Sequence, residues 1–110
     1  MFKPGDIVVA MEFAGVKETK RRPVVVVSSL LYQKYRPDVI VGQITTQIAK
    51  ANAPTDCLIE DWKSAGLDRP SAFRSFLLTI PVDQVKFIGR LTPTDWMAVK
   101  ECMRLALETK

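Results

Sequence analysis

A chain of 110 residues has room for one domain with a modest hydrophobic core, so we expect a single domain spanning residues 1 to 110. Hydrophobic residues make up 47% of the chain, charged residues 25%, and the formal net charge is +4, which excludes a disordered chain and indicates a soluble globular protein. No apolar run approaches the roughly 18 residues of a membrane-spanning helix, and MFKPGDIVVA lacks the apolar core of a signal peptide, so we expect a cytoplasmic protein without a membrane partner.

The first two predicted strands form a hairpin with a long basic tip. The Pro4-Gly5 turn leads into DIVVAMEF, residues 6 to 13, and RPVVVVSS, residues 22 to 29, follows after a polar loop. Four consecutive valines are typical of a strand that is buried on both faces. Because Pro23 holds the residue before it extended, we expect Arg22 to stand rigidly at the start of the second strand.

Short strands and turns follow this hairpin. Residues 28 to 38 allow one helical turn, and DVIVGQITTQ, residues 38 to 47, predicts the third strand. A fourth strand is predicted around residues 57 to 59, and FLLTIPV at 76 to 82 and VKFIGRL at 85 to 91 predict two more. Together these segments predict a compact, mainly β body.

The last segment predicts an α-helix. Thr92 supplies a capping hydroxyl, Pro93 suits the first helical position, and Asp95 places a carboxylate near the positive end of the helix dipole. The apolar residues that follow at helical spacing are Trp96, Val99, Met103 and Ala106. Since an amphipathic helix gains most of its stability from burying one face, we expect this face to pack on the β body.

Positive charge is concentrated in one fifth of the chain. Residues 17 to 36 hold six basic side chains and one acid, a local charge of +5, which leaves −1 for the rest of the chain. Such a concentration indicates a local anion-binding surface, and a phosphate backbone is the large anion that it suits best. A solvated loop that serves only solubility is the alternative.

Several kinds of chemistry are excluded by the residues that the chain lacks. It contains no histidine, which excludes histidine-based ribonuclease or protease chemistry. Glu60 and Asp61 are adjacent acids that point to opposite sides of an extended segment, so we expect no metal and no cofactor. Cys57 and Cys102 form no CxxC pair and are expected to be reduced core residues. Arginine, lysine and hydroxyl chemistry remain.

Four segments in order form a recognisable pattern: PGDIV at 4 to 8, KRRPVVVVSS at 20 to 29, DVIVGQITTQ at 38 to 47, and PSAFRSFLLTI at 70 to 80, followed by the C-terminal helix. The pattern resembles the MazF/PemK family of toxin endoribonucleases from bacterial toxin–antitoxin systems. The resemblance implies a mainly β fold, a small SH3-like β-barrel with a C-terminal helix, that works as a homodimer. It also implies sequence-specific cleavage of single-stranded RNA without a metal, and inhibition by a cognate antitoxin. The charge of +5 in residues 17 to 36 predicts that this antitoxin is acidic.

The same resemblance maps the family's two most characteristic active-site positions onto Arg22 and Thr45. The planar guanidinium of Arg22 matches two phosphate oxygens, so we assign it to transition-state charge and assign Thr45 to hydrogen-bonding the phosphate. A better-studied branch has a glutamate five residues before the arginine, where this chain has Lys17, which leaves Glu18 or solvent as the general base. The residues expected to bind RNA are Lys20, Arg21, Gln47, Ser71 and Arg74.

Other interpretations of these residues stay open at this level. Arg22 could be a charged residue that keeps a valine-rich strand from pairing wrongly, Thr45 a strand former, and Ser71 a turn residue. The alternative function is a non-enzymatic toxin of the same barrel that poisons DNA gyrase by contact, through residues near the C-terminus. The C-terminal MRLALETK is a plain amphipathic helix end, which favours the nuclease.

Overall fold

The computed structural model describes residues 1 to 10 and 22 to 109. Over these residues the chain forms a six-stranded antiparallel sheet followed by a C-terminal helix, which confirms the predicted mainly β fold class. The strands are β1 (Asp6–Ala10), β2 (Pro23–Val26), β3 (Asp38–Thr45), β4 (Asp56–Leu58), β5 (Ala72–Pro81) and β6 (Val85–Arg90), and the helices are α1 (Leu30–Tyr35) and α2 (Pro93–Ala106).

The strands lie in the order β4-β5-β3-β2-β1-β6, and each neighbouring pair is antiparallel. The ladder between β3 and β5 runs from Asp38 opposite Pro81 to Thr45 opposite Ala72. In the described part of the chain β4 and β6 form the two edges of the sheet and do not pair with each other. The expected barrel is therefore open between these two strands.

Both faces of the central strands are buried, as the run of valines predicts. Because successive side chains of a strand point to opposite faces, Val25 enters one core and Val24 and Val26 enter another. The α2-side core consists of Ile7, Val25, Ile44, Ile59, Ala65, Leu67, Phe73, Leu91, Val99 and Cys102. The second core consists of Val8, Ala10, Val24, Val26, Val39, Val41, Ile80 and Val85.

Two strands are shorter than the sequence predicts, because hydroxyl side chains at their ends form other hydrogen bonds. The second strand stops at Val26 rather than at residue 29 because Ser28 accepts a hydrogen bond from the Ile40 N–H (3.1 Å) and Ser29 caps α1. The third strand stops at Thr45, whose hydroxyl accepts from the Gln47 N–H (3.1 Å) and so starts a turn.

The C-terminal helix begins where the sequence predicts. Thr92 accepts a hydrogen bond from the Asp95 N–H (3.2 Å), and Pro93 occupies the first turn. The helix face predicted to pack on the β body is buried or half-buried along most of the helix. The prediction is wrong for Ala106, which is exposed in the last turn. Asp95 does more than was predicted, because its buried carboxylate also accepts from the backbone N–H groups of Glu60 (3.0 Å) and Asp61 (2.9 Å). Of the helices in the described residues, none is long and apolar enough to cross a membrane.

The two cysteines meet in the α2-side core. Cys102 on α2 is buried, Cys57 on β4 is half-buried, and both are free thiols. Burial raises the pKa of the Cys57 thiol to about 12, and its hydrogen bond with the Cys102 thiol adds to the rise. Thiols in this environment stay protonated near neutral pH, which fits the predicted role as reduced core residues.

Candidate functional site

A groove of about 540 Å³ lies where β2 begins and β3 ends. Its polar lining consists of the arginines Arg22, Arg69 and Arg74, the glutamines Gln43 and Gln47, and the threonines Thr45 and Thr46. The two residues predicted to be catalytic, Arg22 and Thr45, therefore lie in the same groove although they belong to different segments of the chain.

The pairing of β2 with β3 explains why these two residues meet. Val24 lies opposite Gln43 in this antiparallel pair, and Val25 lies opposite Gly42. Continuing the same register toward the beginning of β2 brings Arg22 to the level of Thr45. Alternate residues of a strand share a face, so Arg22 lies on the face of Val24, and Thr45 lies on the face of Gln43.

The hydroxyl of Thr45 is oriented by its own turn. Its oxygen accepts the hydrogen bond from the Gln47 N–H at 3.1 Å, and the side chain is only partly exposed. A hydroxyl that accepts in this way still has its own hydrogen to donate. Thr45 is thus a positioned donor on the wall of a cationic groove, an arrangement that suits an anionic oxygen.

Arg74 reaches the groove because the register of the β3–β5 ladder shifts. Gly42 lies opposite Leu77, whereas the next residue, Gln43, lies opposite Arg74, so Ser75 and Phe76 are skipped. A bulge of this kind redirects side chains, and bulges are frequent beside functional sites. Here the shift places the arginine opposite Gln43, and both residues line the groove.

Two polar atoms at this point are buried without a hydrogen-bond partner, Arg74 Nε and Gln43 Oε1. Asp56 lies opposite Arg74 on β4, and its Oδ2 is 3.9 Å from Arg74 Nε, which makes a long ion pair but no hydrogen bond. Leaving buried polar groups unpaired costs free energy, and native proteins tolerate it mainly where function requires it. These two atoms are therefore available to pair with water or with a ligand in the groove.

The charge of the groove is positive. Three guanidinium groups line it, and among the lining residues that the structure describes there is no aspartate or glutamate. Guanidinium groups bind phosphate through two parallel hydrogen bonds, and single-stranded nucleic acids are held in grooves of this charge. Within residues 1 to 10 and 22 to 109, no three side chains of histidine, cysteine, aspartate or glutamate come together as a metal site would require.

Comparison with known proteins identifies the family. The family model described as "PemK-like, MazF-like toxin of type II toxin-antitoxin system" matches residues 3 to 107. The chain belongs to this family of toxins. No match was found among curated proteins.

Solved structures of similar toxins share the fold. An endoribonuclease in complex with its cognate antitoxin from a mycobacterial species superposes with a TM-score of 0.77 at 18% identity, covering 100% of both chains. The Mycobacterium tuberculosis toxin MazF-mt6 gives 0.73 at 25% identity, covering 96% of this chain and 98% of that one. The MazE-MazF structure from Deinococcus radiodurans gives 0.74 at 14% identity, covering 98% and 96%.

The residues predicted to bind RNA in this PemK-like, MazF-like toxin fall into three groups. Gln47 and Arg74 line the groove. Ser71 is buried, and its hydroxyl donates to the Arg69 carbonyl at 2.8 Å, so it stabilises the turn that carries Arg69 and is not itself part of the lining. The remaining sites, Lys20 and Arg21 together with the possible base Glu18, lie outside the described residues.

Sequence reasoning missed three polar groove residues of the toxin, Gln43, Thr46 and Arg69. Gln43 is a polar residue inside a mostly apolar strand, DVIVGQIT. This break in the hydrophobic pattern is the sequence feature that could have identified it. Arg69 precedes Pro70 in the turn before β5, and nothing in the sequence distinguishes it from a solvated loop arginine. Only the packing of this turn beside β3 brings it to the groove.

Proposed function

We propose that this toxin is an endoribonuclease that cuts single-stranded RNA, such as mRNA, sequence-specifically and without a metal ion. The observation that carries the proposal is the convergence of Arg22 and Thr45 in one groove with two further arginines. The family match over residues 3 to 107 supports one toxin domain, and similar mycobacterial structures are described as endoribonucleases. We place its action in the cytoplasm, where mRNA is available.

In the proposed reaction the ribose 2′-hydroxyl attacks its neighbouring phosphorus. A bond forms between the 2′-oxygen and phosphorus, the bond to the 5′-oxygen breaks, and the products carry a 2′,3′-cyclic phosphate and a 5′-hydroxyl. The nucleophile and the electrophile belong to the same nucleotide, so the protein has to align them and stabilise the charge that develops on the phosphorane.

Each groove residue has a defined task in this reaction. Arg22 donates two hydrogen bonds to the non-bridging oxygens, and Thr45 donates a third through its hydroxyl. Arg22 does not act as a base, because a guanidinium keeps its proton in proteins. The proton of the 2′-hydroxyl passes to Glu18 or to solvent, and the leaving 5′-oxygen takes a proton from solvent.

We propose that the toxin works as a homodimer. Tyr35 at the end of α1 and Val82 after β5 are exposed apolar residues, at 72% and 40% exposure. The Val82 N–H donates to the Pro37 carbonyl at 2.9 Å, which holds these two segments side by side. Exposed apolar residues are common in protein–protein contacts, so these two residues support self-association.

We also propose that an antitoxin with an acidic, largely disordered C-terminal segment inhibits the toxin by lying across residues 20 to 22 and the groove. The similar structures that contain antitoxins support the existence of such a partner. The positive groove supports the acidity of the segment, because the surface that attracts RNA phosphates attracts carboxylates as well. A disordered segment can cover a long surface and exclude the substrate.

The test of the proposed activity is cleavage of a long unstructured RNA by the purified toxin in excess chelator. Arg22→Ala should lower kcat on the order of 100-fold to 1000-fold, with nearly the same unfolding temperature, because Arg22 is exposed and outside both cores. Arg104→Ala, which removes an exposed arginine on α2, outside both the groove and residues 17 to 36, is the matched control and should cut normally.

Absence of cleavage by the wild-type toxin in chelator would contradict the proposal, and inhibition of DNA gyrase by the same preparation would then support the contact poison. An Arg22→Ala variant that unfolds would instead support a structural role for this arginine.

A further inference from the structure

Phe76 is an aromatic residue that the bulge of β5 exposes beside the groove. It is one of the two residues skipped where the β3–β5 register shifts, and it remains 54% exposed. The other skipped residue, Ser75, donates its hydroxyl to the Thr55 carbonyl at 2.8 Å, which fixes the bulge to the segment before β4. A half-exposed phenyl ring at a fixed position is an available contact surface for a ligand.

The guanidinium of Arg74 connects this ring to the groove. Its carbon lies 4.2 Å from the centroid of the Phe76 ring, a close cation–π contact. Arg74 is itself a groove residue whose Nε has no hydrogen-bond partner. The ring thus contacts the guanidinium of a groove residue, while Phe76 as a whole stays 54% exposed. The charged groove and the aromatic surface form one continuous site.

We propose that Phe76 and Arg74, both on β5, form a stacking subsite for one unpaired RNA base beside the groove. This inference rests on the proposed RNA cleavage. Unpaired bases are bound by stacking on aromatic rings and arginine planes, while cationic groups beside them hold the phosphates. Phe76 binds the face of the base, and Arg74 binds the adjoining phosphate. Because every base has such a face, the subsite contributes affinity and alignment rather than base choice.

A second arginine–phenylalanine pair in the same molecule provides a matched control. Phe87 on β6 is 48% exposed, and the Arg90 guanidinium lies 5.9 Å from its ring centroid. Arg90 Nε donates to Asp6 Oδ1 at 2.7 Å, a hydrogen-bonded ion pair much shorter than that of Arg74 with Asp56, and β6 is at the edge of the sheet opposite to β4. Phe87 resembles Phe76 in size and exposure, but neither Phe87 nor its partner Arg90 lines the groove.

The test measures binding of an unstructured oligoribonucleotide that carries a 2′-deoxynucleotide at the cleavage position, together with KM for the cleavable RNA. Loss of one base–aromatic stack by alanine substitution corresponds to roughly 5-fold to 140-fold in affinity. We expect Phe76→Ala and Phe76→Leu to weaken binding and raise KM in this range. Phe76→Trp keeps an aromatic ring and should bind as the wild type does. Phe87→Ala should bind as the wild type does.

A series of oligonucleotides with one abasic position identifies the stacked base. At that position the abasic nucleotide should weaken binding to the wild type and have little further effect on Phe76→Ala, because both changes remove the same contact. Wild-type affinity of Phe76→Ala or Phe76→Leu would overturn the subsite while leaving RNA cleavage intact. Dissociation of a dimer by Phe76→Ala would also overturn it, by assigning the ring to a subunit contact. A wild-type toxin that neither binds nor cuts RNA would overturn the proposed function together with the subsite.

Discussion

Replacing Thr45 by valine removes one oxygen from the groove and little else. Valine has nearly the same shape and a high preference for strands, so β3 should keep its pairing with β2 and β5. Two interactions are lost: the local acceptor for the Gln47 N–H, at 3.1 Å, and the donor proposed to bind the phosphorane oxygen. The first affects stability and the second affects turnover.

The two losses differ in magnitude. A hydrogen bond to a charged group contributes about 1.5–3 kcal/mol, so kcat should fall roughly 10-fold to 140-fold. The neutral bond to the Gln47 N–H contributes about 0.5–1.5 kcal/mol, and the strand preference of valine offsets part of this. At roughly 4 °C per kcal/mol for a domain of this size, the unfolding temperature should fall by only a few degrees.

The assay is single-turnover cleavage of an unstructured RNA with saturating toxin, together with thermal unfolding of the same preparations. Thr79→Val is the control, because Thr79 is an exposed β5 residue opposite Ile40 and does not line the groove. Thr79→Val should cut at the wild-type rate. Unchanged turnover of Thr45→Val would refute the role of the hydroxyl and leave Thr45 as a strand former.

Two further predictions concern packing and charge. A Cβ at Gly42 would lie 2.4 Å from Phe73 Cε1, inside the α2-side core. Gly42→Ala should therefore lower the free energy of unfolding by about 1–3 kcal/mol through overpacking. An unchanged unfolding temperature would show that the ring moves aside without cost. Reversing Lys20 and Arg21 to glutamate should weaken both RNA and antitoxin binding and flatten the salt dependence of antitoxin association; antitoxin affinity that survives the double reversal would contradict a shared site.

The sequence predicted those parts of the fold that depend on local pattern. Four consecutive valines predicted a strand buried on both faces, and Val24 to Val26 alternate between the two cores. Thr92 and Pro93 predicted the start of α2, because capping depends on residues close together in the chain. The predicted meeting of Arg22 and Thr45 followed from a family resemblance, and the β2–β3 register supplies its physical reason.

The parts that the sequence did not predict depend on contacts between distant segments. The strand β5 begins at Ala72, four residues before the predicted start at Phe76, because its first residues pair with β4 on one side and β3 on the other. The register shift beside Gly42 likewise forms only when both strands are in place. The positions of Arg74 and Phe76 depend on this shift. The carboxylate of Asp95 was predicted only as a charge near the positive end of the helix dipole, since its hydrogen-bond partners lie more than 30 residues away in the chain.

The central claim is that the groove of Arg22 and Thr45 cuts RNA by attack of the 2′-hydroxyl without a metal. The most direct measurement compares two oligoribonucleotides that differ only in a single 2′-deoxynucleotide before the cut, in excess chelator, with the products identified by mass spectrometry. The all-ribose RNA should be cut to a fragment that ends in a 2′,3′-cyclic phosphate, and the deoxy-substituted RNA should remain whole. Cleavage of the deoxy-substituted RNA, or cleavage that requires added magnesium, would contradict this account.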